Sequence, residues 1–185
     1  GGLVWVNSAG NEAPLHYRGP FVDADADGLT EFHSAAGAGD EYGRFVVPAG
    51  SDVEVFLRWN QWSAAAPSDV FRLCFTITDG GTLNCVDAAQ PERSTPTTGV
   101  AFTNRRTEAV TFYVSIKRLR GTGSPQLDLF FTEAASWEDP VATASLVEPA
   151  AVDGIVAVGA ACSDSGTVQP VSSQGPTADG RAGVS

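Results

Sequence analysis

The run Phe45-Val46-Val47-Pro48-Ala49-Gly50-Ser51-Asp52-Val53-Glu54-Val55-Phe56-Leu57-Arg58-Trp59 decides the fold class of this chain. From Val53 to Trp59, large apolar residues stand at every second position, and Pro48-Ala49-Gly50-Ser51 is a turn signal between two such runs. Side chains of a strand alternate between its two faces, so a period of two over this length predicts two strands, each with one buried face.

A second pair of apolar runs, residues 70–78 and 82–86, flanks Asp79-Gly80-Gly81. If Asp79-Gly80 forms a two-residue type I′ loop, the hairpin register places Cys74 opposite Cys85. Cα atoms of a hydrogen-bonded pair lie about 5.5 Å apart, which is within disulfide range. We therefore predict a Cys74–Cys85 disulfide and an oxidising compartment, with Cys162 left unpaired. Two buried free thiols, or one side of a metal site, are the alternatives, although no histidine or Cys-x-x-Cys spacing supports zinc.

Three further β runs, at residues 99–102, 109–116 and 126–131, bring the total to seven or eight strands without a convincing helix. This pattern predicts a mainly β fold, an antiparallel β-sandwich with a jelly-roll-like plan. Of the hairpin strand, four residues are predicted to face the core: Phe71, Leu73, Phe75 and Ile77.

The two ends of the chain have a different character. Val4-Trp5-Val6 is a short apolar run typical of a parallel strand that is buried on both faces, and Asn7-Ser8-Ala9-Gly10-Asn11-Glu12 ends it in a small-residue turn. Near the other end, residues 148–160 lead into the apolar strand Ile155-Val156-Ala157-Val158-Gly159-Ala160. The phrase Val171-Ser172-Ser173-Gln174-Gly175-Pro176-Thr177-Ala178-Asp179-Gly180-Arg181 follows.

These end segments resemble the subtilisin-like serine peptidases (subtilases, peptidase S8 family). Residues 4–12 resemble the family's oxyanion-hole segment, residues 155–160 its V-I-A-V-G-A strand, and residues 172–181 its S-S-x-G-P-T-x-D-G-R phrase. The resemblance implies that the Asn11 amide donates a hydrogen bond to the developing oxyanion, an interaction worth about 2.7–4 kcal/mol. From the residues alone, an ordinary turn or cap role for Asn11 stays open.

The resemblance also implies the domain organisation. Residues 1–16 would carry the oxyanion-hole strand and turn, residues 17–135 an inserted β-sandwich domain, and residues 136–185 the return into an α/β catalytic domain. The insert is similar in plan to the β-sandwich modules found beside and within secreted bacterial peptidases. In the family, the loop after the oxyanion asparagine borders the specificity pocket. We therefore expect the insert to modulate substrate access or to bind extended substrates.

A subtilase needs a nucleophilic serine, a histidine base and an orienting aspartate, and the segments that carry them in the family are not in this chain. The two histidines, His16 and His33, are assigned to the insert and are expected to be ordinary loop residues. Ser172 and Ser173 lack a neighbouring base and match strand residues of the family. The chain is therefore expected to be inactive alone, with a protein or peptide substrate only in a parent enzyme. Beyond Arg181 the sequence departs from the family pattern.

An alternating run, Asp23-Ala24-Asp25-Ala26-Asp27-Gly28, reproduces the first half of an EF-hand-type calcium loop. Carboxylates at loop positions 1, 3 and 5 converge because the glycine permits a sharp turn. The twelfth position is Ser34, so Glu31, or Asp40 and Glu41, would have to complete the ligand set. The pattern predicts a structural calcium site at Asp23, Asp25, Asp27 and Glu31; a solvated acidic turn is the alternative.

The net charge and the hydropathy of the chain argue against nucleic-acid binding and against a membrane-spanning helix. The net charge of −11 argues against a nucleic-acid partner, because phosphate binding requires clustered Lys and Arg. No window reaches the ~18 apolar residues of a membrane helix, and no signal peptide stands at Gly1. We expect a secreted or extracellular protein, with the cell envelope as a further possibility, and a chain excerpted from a longer gene product. The competing hypothesis is a calcium-stabilised sandwich that binds carbohydrate or protein, with Trp59, Trp62 and Trp137 as a stacking platform, although tryptophans of β proteins are more often core or strand-end residues. A third hypothesis is a purely structural spacer.

Overall fold

The structure is a computed structural model that describes residues 3–34, 37–62, 67–78, 81–86 and 95–177. It divides into two compact units, of which one is formed by both ends of the chain, Gly1–His16 and Pro140–Ser185. The other is one continuous segment, Tyr17–Asp139. Among the described residues, no helix has the length and apolar character needed to cross a membrane.

Strands dominate the described residues, which contain no α-helix and one short 3-10 helix at Ala13–Leu15. The strands are β1 (Trp5–Ser8), β2 (His16–Pro20), β3 (Phe32–Ser34), β4 (Gly37–Asp40), β5 (Gly43–Val47), β6 (Asp52–Trp59), β7 (Val70–Thr76), β8 (Asn84–Val86), β9 (Thr97–Thr103), β10 (Val110–Arg120), β11 (Gln126–Phe131), β12 (Ser136–Trp137) and β13 (Ile155–Val158). The predicted mainly β fold is confirmed.

The unit Tyr17–Asp139 is built on two sheets packed face to face. One has the strand order β12-β5-β10-β7-β8 and the other the order β2-β11-β6-β9, while β3 and β4 form a separate pair. Strand β10 is antiparallel to both β5 and β7, and β6 is antiparallel to both β9 and β11. Phe45 of the first sheet meets Phe131 of the second with ring centroids 4.8 Å apart, so aromatic side chains fill the space between the sheets.

The alternation in β5 and β6 places one face of each strand in this core. Val53, Val55 and Leu57 are fully buried, and Trp59 is 3% exposed, while Glu54 and Phe56 point outward. Full burial of a Val or Leu side chain contributes about 1.5–3 kcal/mol. The period-two pattern therefore identifies the residues that hold the two sheets together.

Strand β7 departs from its prediction at one end. Phe71, Leu73 and Phe75 are buried, but Ile77 is 52% exposed. The reason is that β7 ends at Thr76, and its pairing with β8 extends only over residues 73–75. Ile77 therefore lies beyond the sheet rather than in its core face. The proposed Asp79-Gly80 turn lies outside the described residues.

The predicted register of this hairpin is confirmed at its cysteines. Cys74 pairs with Cys85, and the two form a disulfide. Their Cα atoms are 3.8 Å apart, closer than the separation of about 5.5 Å expected for a hydrogen-bonded pair. Cys162 is a free, exposed cysteine, as expected.

In the unit formed by the chain ends, β1 and β13 form a parallel pair with Trp5 opposite Ile155 and Ser8 opposite Val158. The parallel pairing fits the sequence pattern, but the predicted burial of the first strand on both faces is wrong for this chain. Trp5 is 59% exposed and Val6 is 58% exposed. Parallel strands are buried when helices and neighbouring strands cover them, and among the described residues this sheet has only two strands and no α-helix.

Candidate functional site

The Asn11 turn starts at the carboxyl end of β1. The Ala9 N–H donates to the Val158 carbonyl at 2.9 Å, which extends the parallel pairing by one step beyond Ser8. Gly10 then adopts φ +95°, a left-handed conformation that side chains other than glycine rarely adopt. This reversal leaves Asn11 exposed at the end of the strand pair. Carboxyl ends of parallel strands are the usual position for ligand-binding loops in α/β folds.

Ser173 contacts the backbone on both sides of Asn11. Its Oγ accepts a hydrogen bond from the Glu12 N–H at 2.8 Å, and its own N–H donates to the Gly10 carbonyl at 2.9 Å. The preceding residue, Ser172, contacts the loop after β13, because its Oγ accepts from the Ala160 N–H at 3.1 Å. The two serines therefore connect the loops that leave β1 and β13.

Both serines are expected from the family resemblance to lie in a strand, and this expectation is wrong. The described residues place them in an irregular segment after β13, where each is almost fully buried, at 1% for Ser172 and 4% for Ser173. Each hydroxyl accepts a backbone N–H, so neither is placed to attack a substrate. Each serine packs on a glycine, because a Cβ at Gly10 would lie 3.3 Å from Ser173 Oγ and one at Gly159 would lie 2.8 Å from Ser172 Oγ. No pattern in the sequence reveals these contacts.

His16 has a structural position that the sequence does not reveal. Its side chain is fully buried, and Nδ1 lies 2.6 Å from the Val141 carbonyl oxygen. The Val141 N–H in turn donates to the His16 carbonyl at 2.8 Å. His16 thus joins the chain segments that precede and follow residues 17–139.

Burial raises the pKa of the nearby Glu12 carboxyl, and the charge of His16 partly offsets this increase. The side chain of His33 lies outside the described residues.

No protein-family model matches the chain, and no curated protein matches it either. Among solved structures, the chain is similar to the structure of the Clostridium perfringens CspB protease, with a TM-score of 0.58 and 13% sequence identity. The match covers 94% of this chain and 38% of the protease chain, so the chain spans well under half of that protease's length. At this identity the similarity is one of fold, and at this coverage it includes residues of both units.

The predicted calcium loop brings its three aspartates together. One carboxylate oxygen from each of Asp23, Asp25 and Asp27 lies within 4.8 Å of the other two. Gly28, at φ +88°, makes the sharp turn, and its N–H donates to Asp23 Oδ2 at 3.2 Å. Glu31 joins the same loop, since its Oε1 accepts from the Ala24 N–H at 2.8 Å.

Two oxygens of this cluster are buried without a hydrogen-bond partner among the described residues: Asp23 Oδ1 and Glu31 Oε2. A buried carboxylate oxygen normally has a donor or a cation beside it, because an unpaired one is costly. Glu41 belongs to the same neighbourhood. Burial raises the pKa of its carboxyl, and the four carboxylates of the loop raise it further. Five carboxylates thus gather at this loop, and carboxylate oxygens are the ligands that calcium prefers.

The sandwich also has a cavity of about 740 Å³ that is open to solvent and is lined by residues of β7, β8, β9 and β10. Its lining is mostly aromatic, aliphatic or uncharged polar, and it includes Phe75, Ile77, Asn84, Val100, Phe102 and Phe112. The tryptophan platform of the competing hypothesis is not formed, because Trp59 and Trp137 are buried in the core and, of the three, only Trp62 is exposed, at 48%.

Proposed function

We propose that the chain is part of a secreted subtilisin-like serine endopeptidase, in which Asn11 donates to the oxyanion of the tetrahedral intermediate. The chain does not by itself catalyse peptide-bond hydrolysis, since the nucleophile and its base belong to segments of the parent enzyme. The disulfide Cys74–Cys85 is compatible with an extracellular location.

One observation carries this proposal: the two sequence phrases that resemble the family, far apart in the chain, are joined in space. Strands β1 and β13 pair in parallel, and Ser173 of the second phrase bonds the backbone on both sides of Asn11 in the first. The fold similarity to a protease supports the same reading. The exposed apolar residues Val4, Trp5 and Val6 are accounted for if further elements of a catalytic domain cover them in the parent enzyme.

The decisive experiment uses the full-length gene product that contains this chain. It should hydrolyse a peptide substrate and be blocked by a serine-directed phosphonate. Asn11→Ala should lower kcat by roughly 10²–10³ with little change in KM, because the donor acts on charge that develops only in the transition state. Asn7→Ala is the matched control, since Asn7 lies in β1 and, among the described residues, its amide donates to the adjacent Ser8 carbonyl. Full activity of Asn11→Ala would refute the role.

For the inserted sandwich we propose a role in substrate access. The unit of residues 17–139 begins six residues after Asn11. His16, just before this unit, and Val141, just after it, are hydrogen-bonded to each other. An insertion so close in sequence to an oxyanion donor is suited to restrict or hold large substrates. Replacing residues 17–139 by a short glycine linker should therefore change cleavage of folded proteins more than cleavage of a short peptide. Equal losses on both substrates would contradict the proposal.

We further propose that Asp23, Asp25, Asp27 and Glu31 bind calcium, with Glu41 as an additional carboxylate. The unpartnered buried oxygens of Asp23 and Glu31 favour this reading over a solvated acidic turn. Bound calcium would neutralise the repulsion among the carboxylates and fix the segment that runs from β2 to β3. The role is structural, because the loop is anchored to β10 through the Gly28 carbonyl, which accepts from the Arg118 N–H at 2.8 Å.

Thermal unfolding in calcium and in EDTA tests the site. Calcium at 100 times its Kd should stabilise the folded chain by about 2.7 kcal/mol, since only the folded state presents the site. For a chain of this size, the melting temperature then rises by roughly 5–10 °C. Asp25→Asn should abolish the shift, whereas Asp164→Asn, at an exposed aspartate outside the cluster, should leave it unchanged. Identical melting in calcium and EDTA would exclude the site.

A binding role for the sandwich is the second candidate, and the apolar cavity favours an apolar side chain of a protein ligand over a sugar. A test is the affinity of the chain for peptides with and without a central aromatic residue. Val100→Trp, which fills the cavity, should remove any preference for the aromatic peptide. Equal affinities in the unmodified chain would eliminate this candidate.

A further inference from the structure

We infer that Ser173 is the positioning residue of the Asn11 turn: it fixes the peptide groups on both sides of Asn11 and so orients the amide. This inference rests on the proposed oxyanion role and names the residue on which that role depends. Asn11 itself is exposed and lies in a bend, so burial in a packed core does not fix the direction of its amide. A donor that stabilises an oxyanion must be held in place before the charge develops.

The geometry gives Ser173 two contacts that act together. The Glu12 N–H donates to Ser173 Oγ at 2.8 Å, and the Ser173 N–H donates to the Gly10 carbonyl at 2.9 Å. These are the peptide groups that precede and follow Asn11. Rotation of the Asn11 backbone would therefore break at least one of them. Gly10 completes the fit, since its missing Cβ would lie 3.3 Å from Ser173 Oγ.

The segment that carries Ser173 is itself anchored away from the turn. The Gln174 N–H donates to Ser145 Oγ at 3.0 Å, and Ser145 is fully buried and donates to the Ala142 carbonyl at 2.6 Å. The Ala144 N–H donates to the Gly175 carbonyl at 3.2 Å. Ser173 thus connects the exposed Asn11 turn to the buried segment that contains Ala144 and Ser145.

Ser172 provides a matched control within the same dipeptide. It is the same residue type, equally buried, and its Oγ also accepts one backbone N–H, but that N–H belongs to Ala160 on the loop after β13. A general loss of packing would affect both serine variants alike. A positioning role predicts that only Ser173→Ala loosens the Asn11 turn.

The first measurement uses this chain and needs no activity. Amide hydrogen exchange by NMR should show protection of the Glu12 N–H falling by at least about fivefold in Ser173→Ala, as expected for a lost hydrogen bond. In Ser172→Ala the loss should appear at Ala160 and not at Glu12. Ser173→Thr keeps a hydroxyl and should restore protection at Glu12. Unchanged exchange at Glu12 in Ser173→Ala would overturn the inference.

The second measurement uses the full-length gene product. Ser173→Ala should lower kcat about tenfold at unchanged KM, Ser173→Thr should recover part of it, and Ser172→Ala should stay within twofold of the unmodified enzyme. In the Asn11→Ala background, Ser173→Ala should have no further effect, because Ser173 acts through Asn11. Additive losses would overturn the inference. An inactive unmodified enzyme would instead refute the proposed function, while the exchange measurement would still decide whether Ser173 holds the turn.

Discussion

Cys74 lies directly opposite Cys85 on neighbouring strands of the five-stranded sheet, and the two side chains form a disulfide across β7 and β8. Strand β8 is short and lies at the edge of its sheet, with pairing to β7 over residues 84–86 only. Backbone hydrogen bonds alone would hold so short an edge strand weakly. The disulfide therefore fixes the edge at which the apolar cavity opens.

Removal of this disulfide should destabilise the chain measurably. The cysteines are 11 residues apart, and closing a loop of that length in the unfolded chain corresponds to about 3 kcal/mol in the chain-entropy description. Cys74→Ala with Cys85→Ala should therefore lower the free energy of unfolding by about 3 kcal/mol in urea titrations. Reductant should destabilise the unmodified chain and leave the double variant unaffected. Cys162→Ser, at the free and exposed cysteine, is the control and should unfold like the unmodified chain.

The core residues of the sandwich can be predicted from the sequence, because alternate residues of a strand lie on opposite faces. Val53, Val55 and Leu57 are all fully buried, as the pattern predicts. The same rule failed at Ile77, since alternation says which face a side chain takes but not where the strand ends. Strand ends depend on pairing partners, and β8 covers only part of β7.

Only separate parts of the candidate site can be predicted from the sequence. The Asn11 turn and the Ser172-Ser173 dipeptide were recognised as separate phrases, but periodicity and spacing contain nothing that pairs the Ser173 hydroxyl with the Glu12 N–H. That contact depends on the parallel register of β1 and β13. The burial of His16 was likewise inaccessible, because it results from closure of the chain at Val141 and not from any local pattern.

Gly43 is required by its neighbour Trp137. A Cβ at position 43 would lie 2.1 Å from Trp137 Cη2, and the tryptophan is buried and stacked on Phe131 at 4.7 Å between ring centroids. Gly43→Ala should therefore cost about 1–3 kcal/mol, the usual penalty of overpacking a core. The free energy of unfolding from urea titration measures it.

A double-mutant cycle separates this clash from a general intolerance of strand β5. Trp137→Phe removes the part of the indole that the new methyl group would touch. In that background, Gly43→Ala should cost less than in the unmodified chain, with a coupling energy of about 1 kcal/mol or more. Additive effects would show that the two residues do not interact as the structure indicates.

Tyr17 should make the chain sensitive to alkali. Its ring is buried against Phe32 at 5.0 Å between centroids, and its hydroxyl has no hydrogen-bond partner among the described residues. Burial, followed by the carboxylate of Asp139, raises the pKa of Tyr17 from its ordinary value of 10.0 to about 12. The folded state therefore holds the phenol proton more tightly than the unfolded state does.

The raised pKa of Tyr17 sets the pH range over which the stability of the chain changes. Below about pH 10 both states are protonated, so Tyr17 contributes no pH dependence. Between about pH 10 and 12 the unfolded chain releases the proton first, and stability falls as pH rises, by up to about 3 kcal/mol. Tyr17→Phe should remove this loss, and near neutral pH it should be at least as stable as the unmodified chain. Urea midpoints of both proteins across this range, in a Cys162→Ser background, provide the measurement; parallel curves would contradict the assignment.

Asp69 holds the loop between β10 and β11, and its removal should destabilise the sandwich strongly. It is 1% exposed, accepts from the Gly123 N–H at 3.1 Å and from Gln61 Nε2 at 2.7 Å, and pairs with Arg118 at 3.7 Å. Removing one partner of a buried ion pair leaves the other charge uncompensated, so Asp69→Ala should cost about 3–5 kcal/mol. Asp69→Asn keeps the volume and some hydrogen bonds, and should cost less. Asp52→Ala, at an exposed aspartate of the same unit whose Oδ1 accepts from Thr103 Oγ1 at 2.6 Å, should change stability by about 1 kcal/mol or less. If Asp69→Ala were as mild as Asp52→Ala in urea titrations, the loop would have to be held by its backbone hydrogen bonds and not by this carboxylate.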